Sequence, residues 1–275
     1  MKITCWVCPH KCKLGEGQVG ICRARINSGG KIISQNYGMI TGKALDPIEK
    51  KPLYHFYPGM KIFSIGSYGC NLRCSFCQNH EISMVEENKA MGIKVEIKEI
   101  IKHAKALQSQ GNIGIAYTYN EPLIGYEFVS DCAKEAKKEG LKNVVVTNGF
   151  ICEDPLRDLL PYIDAFNIDL KGYTSEYYQE LRGDLEVVKK SIEIAASKCH
   201  VEVTTLIVPG KNDREDEIDE MSRWIASISP HIPLHISRFF PRWEMQDRGA
   251  TPVKTVYRMA EIAGRYLKNV HVGNV

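Results

Sequence analysis

What this chain of 275 residues lacks narrows it first. It has no long hydrophobic run: the longest stretch without a charged side chain, Ala106–Asn120, has 15 residues and is interrupted by Gly and Gln. A membrane-spanning helix needs about 20 mostly apolar residues, so no span and no membrane partner is expected. The opening, Met1-Lys2-Ile3-Thr4-Cys5, reaches a cysteine before an apolar signal core develops. A secretory leader is therefore not expected, and the expected compartment is the cytoplasm. Charge of one sign is missing in bulk, since 36 Lys and Arg face 33 Asp and Glu for a net of +3. No nucleic-acid partner is expected from that balance. Internal repeats and low-complexity tracts are absent as well.

Charge is nonetheless uneven. Residues 1–60 carry 9 basic against 3 acidic side chains, leaving 27 against 30 for the rest. A basic N-terminal segment can meet an acidic partner or a phosphate, or can simply be a solvated surface. The cysteines are uneven too. Four of the 10 fall at Cys5, Cys8, Cys12 and Cys22, three at Cys70, Cys74 and Cys77, and three stand alone at Cys132, Cys152 and Cys199. In a reducing compartment clustered thiols bind metal or do redox chemistry. Two metal sites and three core thiols are the expectation.

From Lys61 onward, short apolar runs alternate with amphipathic stretches. The runs are Ile62–Ser67, Ile113–Thr118, Asn143–Thr147, Ala165–Leu170, Val201–Val208 and Leu234–Ser237. Each is short, largely uncharged and partly β-branched, as strands buried on both faces of a parallel sheet are. Helical stripes follow Ile97 to Leu107, Val188 to Cys199, Ile218 to Ile228 and Val253 to Leu267. Six strand–helix repeats predict a parallel α/β architecture, either an open partial barrel or a doubly wound sheet. Both bind ligands at the carboxyl ends of the strands. Residues 1–60 have no helical stripe and one β-like run, Lys31 to Ile40. So short a segment builds little core, and its cysteines are expected to staple it through a metal. The expected division is a Cys-rich segment over residues 1–60 and a catalytic body over 61–275.

Cys70-Asn71-Leu72-Arg73-Cys74-Ser75-Phe76-Cys77 follows the first of these strands. Three thiolates on one loop can wrap a [4Fe–4S] cluster and leave one iron open to an outside ligand. Structural zinc would want a fourth ligand, for which His80 is conceivable. The spacing, with an aromatic residue at Phe76, resembles the signature of radical S-adenosylmethionine (SAM) enzymes. That resemblance implies a partial (β/α)6 TIM-like barrel, with SAM bound to the open iron and cleaved by one electron to a 5′-deoxyadenosyl radical. It also implies a reductant such as flavodoxin or ferredoxin, and a place for Phe76 and Gln78 beside SAM. The competing class is a metal-stabilised binding or electron-transfer protein without SAM chemistry.

Polar clusters close the later strands. Within the superfamily the chain is most similar to glycyl-radical-enzyme activases, typified by the pyruvate formate-lyase activating enzymes. Their Gly-Gly-Glu holds the SAM amino group; here Tyr119 and Asn120 precede Glu121. Read without the resemblance, Asn-Glu-Pro is a helix start. Thr147-Asn148-Gly149 matches the activase Thr-Asn-Gly, with Val146 where they carry Asp, and is also a turn signal. Asp169-Leu170-Lys171 matches their Asp-Leu-Lys, an anion and a cation fit to meet zwitterionic methionine. Val208–Asp213 and Thr204 lie where the family runs along adenosine, and His235 near where it contacts the ribose; alone, His235 reads as a core histidine.

The four N-terminal cysteines complete a tetrahedral set without outside help, either for structural zinc or for an auxiliary [4Fe–4S] cluster. This opening, together with Lys51–Gly59, Tyr119–Pro122 and His235–Pro241, resembles the AmmeMemoRadiSam system branch. That resemblance implies Memo-like and AMMECR-type partners. These motifs leave the native substrate unidentified; a protein or peptide is one candidate class, and literal glycyl-radical activation is the alternative.

Overall fold

Seven parallel strands and one antiparallel strand make the central sheet of the computed structural model, which describes residues 2–86 and 89–275. Four short strands come first: β1 (Ile3–Thr4) with β2 (Lys13–Leu14), and the hairpin β3 (Arg25–Ser28) and β4 (Lys31–Ser34). β5 (Met39–Ile40) pairs with β8 (Ile93–Lys94). The main sheet runs β14-β13-β12-β11-β10-β9-β7-β6. Its members are β6 (Gly42–Pro47), β7 (Lys61–Gly66), β9 (Asn112–Tyr117), β10 (Lys142–Thr147), β11 (Ala165–Asp169), β12 (His200–Ile207), β13 (Leu234–Arg238) and β14 (Val270–Gly273). The helices are α1 (His80–Ser83), α2 (Ile97–Ala106), α3 (Tyr126–Lys138), α4 (Glu153–Leu159), α5 (Ser175–Glu180), α6 (Leu185–Ala196), α7 (Glu215–Ile228) and α8 (Val253–Ala263).

All six apolar runs are strands, in order and parallel. The sheet is not closed: β14 and β6 are its two edges. This is an α/β partial barrel with a Cys-rich N-terminus. Two strands of this sheet escaped the sequence reading. β14, Val-His-Val-Gly, is too short for a period to declare itself. β6 lies within residues 1–60, yet it pairs with β7 along its whole length from Gly42↔Gly66 to Pro47↔Lys61. The expected run Lys31–Ile40 is two strands, β4 and β5, bent apart at Gly38 (φ +69°).

Two cores follow from strand alternation. Outward residues such as Phe63, Ile115, Val145, Phe166 and Val203 pack under the helices. α2 buries Ile100, Ile101 and Ala104; α6 buries Val188, Ile192 and Ala195, and Asp184 caps it by accepting from the backbone N–H of Glu186 at 2.9 Å. Inward residues Ile62, Ala116, Val144 and Ala165 pack with Ile48, Leu53 and Phe56. The segment after β6 thus plugs the amino end of the barrel, and the polar strand ends are left to line the opposite mouth.

Candidate active site

The loop after β7 can turn back over the barrel because Gly69 adopts φ +88°, and a Cβ there would stand 2.5 Å from the Cys22 carbonyl oxygen. It delivers Cys70, Cys74 and Cys77 to the rim of a cavity of about 360 Å³ at the carboxyl ends of the strands. Phe76, Gln78, Asn120, Glu121, Thr147, Asn148, Asp169 and Lys171 line the same cavity. The Val208–Asp213 turn is not part of this lining, and neither is His235. It is buried toward the amino end, its Nε2 2.6 Å from Glu202 Oε2.

Glu121 is the hub. One of its carboxylate oxygens accepts from Thr147 Oγ1 at 2.7 Å and from the backbone N–H of Leu123 at 2.9 Å; the other accepts from the backbone N–H of Asn148 at 2.7 Å. Burial outweighs these three donors and pushes the carboxyl up to about 7. Asn120 fixes the turn by accepting from Ser67 N–H at 2.9 Å and donating to the Tyr68 and Gly69 carbonyls. Tyr119, in the left-handed region at φ +73°, is held at both ends. Its carbonyl accepts from Asn79 Nδ2 at 2.7 Å, and its hydroxyl donates to Asp46 at 2.9 Å. Lys51 binds the same Asp46 oxygen at 2.8 Å, with its ammonium 4.6 Å from the Tyr119 ring centre. This Asp46–Lys51–Tyr119 group was missed because Asp46 lies on β6, the strand without a sequence signal.

At the end of β11, Lys171 Nζ and Asp169 Oδ2 stand 2.6 Å apart. Burial works against the ammonium, but Asp169 and Cys74 outweigh it and the Lys171 pKa rises. Asn212 donates to the Lys171 carbonyl at 2.7 Å and accepts from Val208 N–H at 2.7 Å, so the Val208–Asp213 turn braces the pair.

Burial pushes the Cys74 thiol up to about 12, and raises Cys70 and Cys77 as well. Neutral thiols are what a dry cavity favours; a strongly cationic group would be needed to hold them as thiolates. Next to them the Tyr177 hydroxyl is buried without a hydrogen-bond partner. Three soft donors at a cavity mouth fit a [4Fe–4S] cluster with one iron free for an outside ligand. His80, the conceivable fourth zinc ligand, instead stacks on Trp243 with ring centres 5.6 Å apart. Among the described residues, no three His, Cys, Asp or Glu side chains are gathered so as to hold a single metal ion.

The N-terminal cysteines sit beside this loop, not in the cavity. Cys5, Cys8 and Cys22 are buried and Cys12 partly so. Cys152, expected as a core thiol, lies next to them: its N–H donates to the Val7 carbonyl at 2.9 Å. Cys132, on α3, is fully buried.

The profile of the Radical SAM superfamily matches residues 64–225. An uncharacterized protein of Methanocaldococcus jannaschii is 38% identical over 100% of this chain and 82% of its own length. Pyruvate formate-lyase 1-activating enzyme of Escherichia coli K12 is 28% identical over 62% of this chain and 70% of its own. Among solved structures, a radical SAM methyltransferase from Sphaerobacter thermophilus shares the fold with a TM-score of 0.61 at 16% identity, covering 79% of this chain and 67% of that one. No helix among the described residues is long and apolar enough to cross a membrane. The chain belongs to the radical SAM superfamily.

Proposed function

We propose that the chain cleaves SAM reductively at a [4Fe–4S] cluster held by Cys70, Cys74 and Cys77, and uses the 5′-deoxyadenosyl radical to abstract hydrogen from a protein or peptide substrate. The observation that carries this is the convergence on one cavity mouth of the three cysteines, Glu121 and the Asp169–Lys171 pair. Bound there, the cluster supplies the electron that breaks the sulfonium bond. The side chains do the positioning. Glu121 and Asp169 are anions for the SAM ammonium, and Lys171 is a cation for its carboxylate. Asn148, with its Nδ2 3.6 Å from Cys70 Sγ, and Thr147 hold that side of the pocket. Phe76 and Gln78 flank it from the cysteine loop.

Radical chemistry needs a low-potential reductant of the flavodoxin or ferredoxin type. The open edges at β6 and β14 leave room for a substrate to present a segment rather than be engulfed. The Escherichia coli relative's name supports an activase-like role. Tyr119 and Asn120 in place of the activase glycines favour a different protein substrate over a literal glycyl-radical enzyme. The N-terminal cysteines are proposed to hold a second metal within a segment of residues 1–60, and Memo-like and AMMECR-type proteins are the proposed partners. The test is spectroscopic: the reconstituted, reduced protein should show a cluster signal in EPR that changes when SAM is added. A spectrum indifferent to SAM would defeat the reading.

A further inference from the structure

The two cysteine groups meet. Cys22 packs with Tyr68, and its carbonyl presses on Gly69, so it touches the two residues ahead of Cys70. On the other side the N-terminal segment reaches Asn71, the residue after Cys70, through His10. The Asn71 carbonyl pairs with His10 Nε2 at 2.8 Å, and its side chain accepts from Asn148 Nδ2 at 2.9 Å. That same Asn148 amide reaches Cys70 Sγ. His10, two residues after Cys8, is therefore joined through Asn71 and Asn148 to a sulfur of the barrel group.

The N-terminal group is itself shaped around something. A Cβ on Gly20 would stand 3.7 Å from Cys12 Sγ and 3.8 Å from Cys22 Sγ, so glycine keeps that corner clear. Four soft thiol donors complete the ligand set of a [4Fe–4S] cluster. The outer face carries Trp6, 65% exposed, with Lys11 Nζ 5.2 Å from its ring centre. Residues 1–60 also hold the chain's excess of positive charge. Low-potential carriers with an acidic docking face are complementary to it.

We infer that Cys5, Cys8, Cys12 and Cys22 hold a redox-active [4Fe–4S] cluster that receives the electron from an acidic iron–sulfur or flavin protein and passes it across Asn71 to the barrel site. The inference rests on the function proposed above and fixes how its electron arrives. One electron leaves the donor, which is oxidised by one equivalent. It resides at the N-terminal site and then reaches the barrel site, where it breaks the S–C5′ bond of SAM into methionine and the carbon radical. No proton moves.

The test uses the full chain, reconstituted anaerobically with iron and sulfide. Wild type should bind about eight irons and the Cys8→Ser/Cys12→Ser variant about four. With both sites reduced, wild type should show an EPR spectrum split or broadened by spin coupling, and the variant a simple signal. Without any substitution, that coupling alone reads the proximity. Cluster reduction by a reduced ferredoxin should be at least tenfold slower in the variant, while dithionite-driven 5′-deoxyadenosine formation stays unchanged. Zinc in the N-terminal site overturns the inference, as do two uncoupled clusters or an unaltered rate with ferredoxin. Failure of wild type to cleave SAM with dithionite would instead strike the proposed function, and leaves the coupling measurement standing by itself.

Discussion

The backbone N–H of Asn148 donates to Glu121 at 2.7 Å, joining the ends of the neighbouring strands β10 and β9 on one side of the cavity. Through this bond and the one from Thr147, two polar clusters separated by 26 residues or more in sequence become one anionic wall.

That wall titrates near neutrality. Glu121 is held up at about 7, so it is neutral below that pH and charged above it. An ammonium-bearing ligand needs the charged form, so SAM affinity should rise between pH 6 and pH 8. In Glu121→Gln it should be weaker by about 10-fold or more and nearly flat with pH. The stability sign is opposite. A carboxyl raised above its unfolded value contributes stability that is present below about 4.5 and lost as pH rises through about 7. Calorimetric titration of SAM across pH checks the first claim, and urea unfolding of the free protein the second.

Lys171→Met leaves Asp169 facing the cavity without its cation, and should lower stability by about 2 kcal/mol, less than a fully buried pair would lose because Asp169 is partly exposed. Adding Asp169→Leu should restore most of that stability but none of the SAM binding. Thermal melts and binding measured on the same samples separate the two. If the double variant binds SAM like wild type, the pair has no place in recognition.

At the far end of the barrel, Glu202 pairs with His200 at 2.9 Å and His235 at 2.6 Å and accepts from the backbone N–H of Tyr54 and His55. Burial opposes its charge, yet these four partners prevail and hold the carboxyl down at about 2. A depressed carboxyl contributes stability that is present above about 4.5 and lost as pH falls toward 2, worth about 3 kcal/mol. The gap in urea midpoint between wild type and Glu202→Gln should therefore be wide at neutral pH and close on acidification. A constant gap would contradict the assignment.

Asn143 is fully buried; its Oδ1 accepts from the Tyr117 hydroxyl at 3.2 Å, and its Nδ2 donates to the Ala133 and Tyr162 carbonyls at 3.0 Å. Asn143→Ala orphans those three groups and should cost about 2–4 kcal/mol in chemical denaturation, with SAM binding per folded molecule unchanged.

Much of this was legible because chemistry and strand ends coincide in sequence. The cysteine loop, Glu121, Thr147–Asn148 and Asp169–Lys171 each follow an apolar run, and a parallel barrel gathers such ends. Legibility failed where contact is long-range. Asp46 reaches Tyr119 only because β6 pairs antiparallel with β7, and no local pattern marks β6. His235 belongs with Glu202 because of its depth along β13, which periodicity does not give. α3 was readable in principle, since Phe128, Val129, Cys132, Ala133 and Ala136 repeat at helical spacing. Cys152 joins the N-terminal cysteines through a contact with Val7 that no spacing announces.

The central claim is SAM cleavage, and the most direct measurement is 5′-deoxyadenosine formed by the anaerobically reconstituted protein with dithionite and SAM. The account predicts product from wild type and none from the Cys70→Ala/Cys74→Ala/Cys77→Ala variant. No product from wild type with its cluster intact would contradict it, and would leave a metal-stabilised electron-transfer protein in its place.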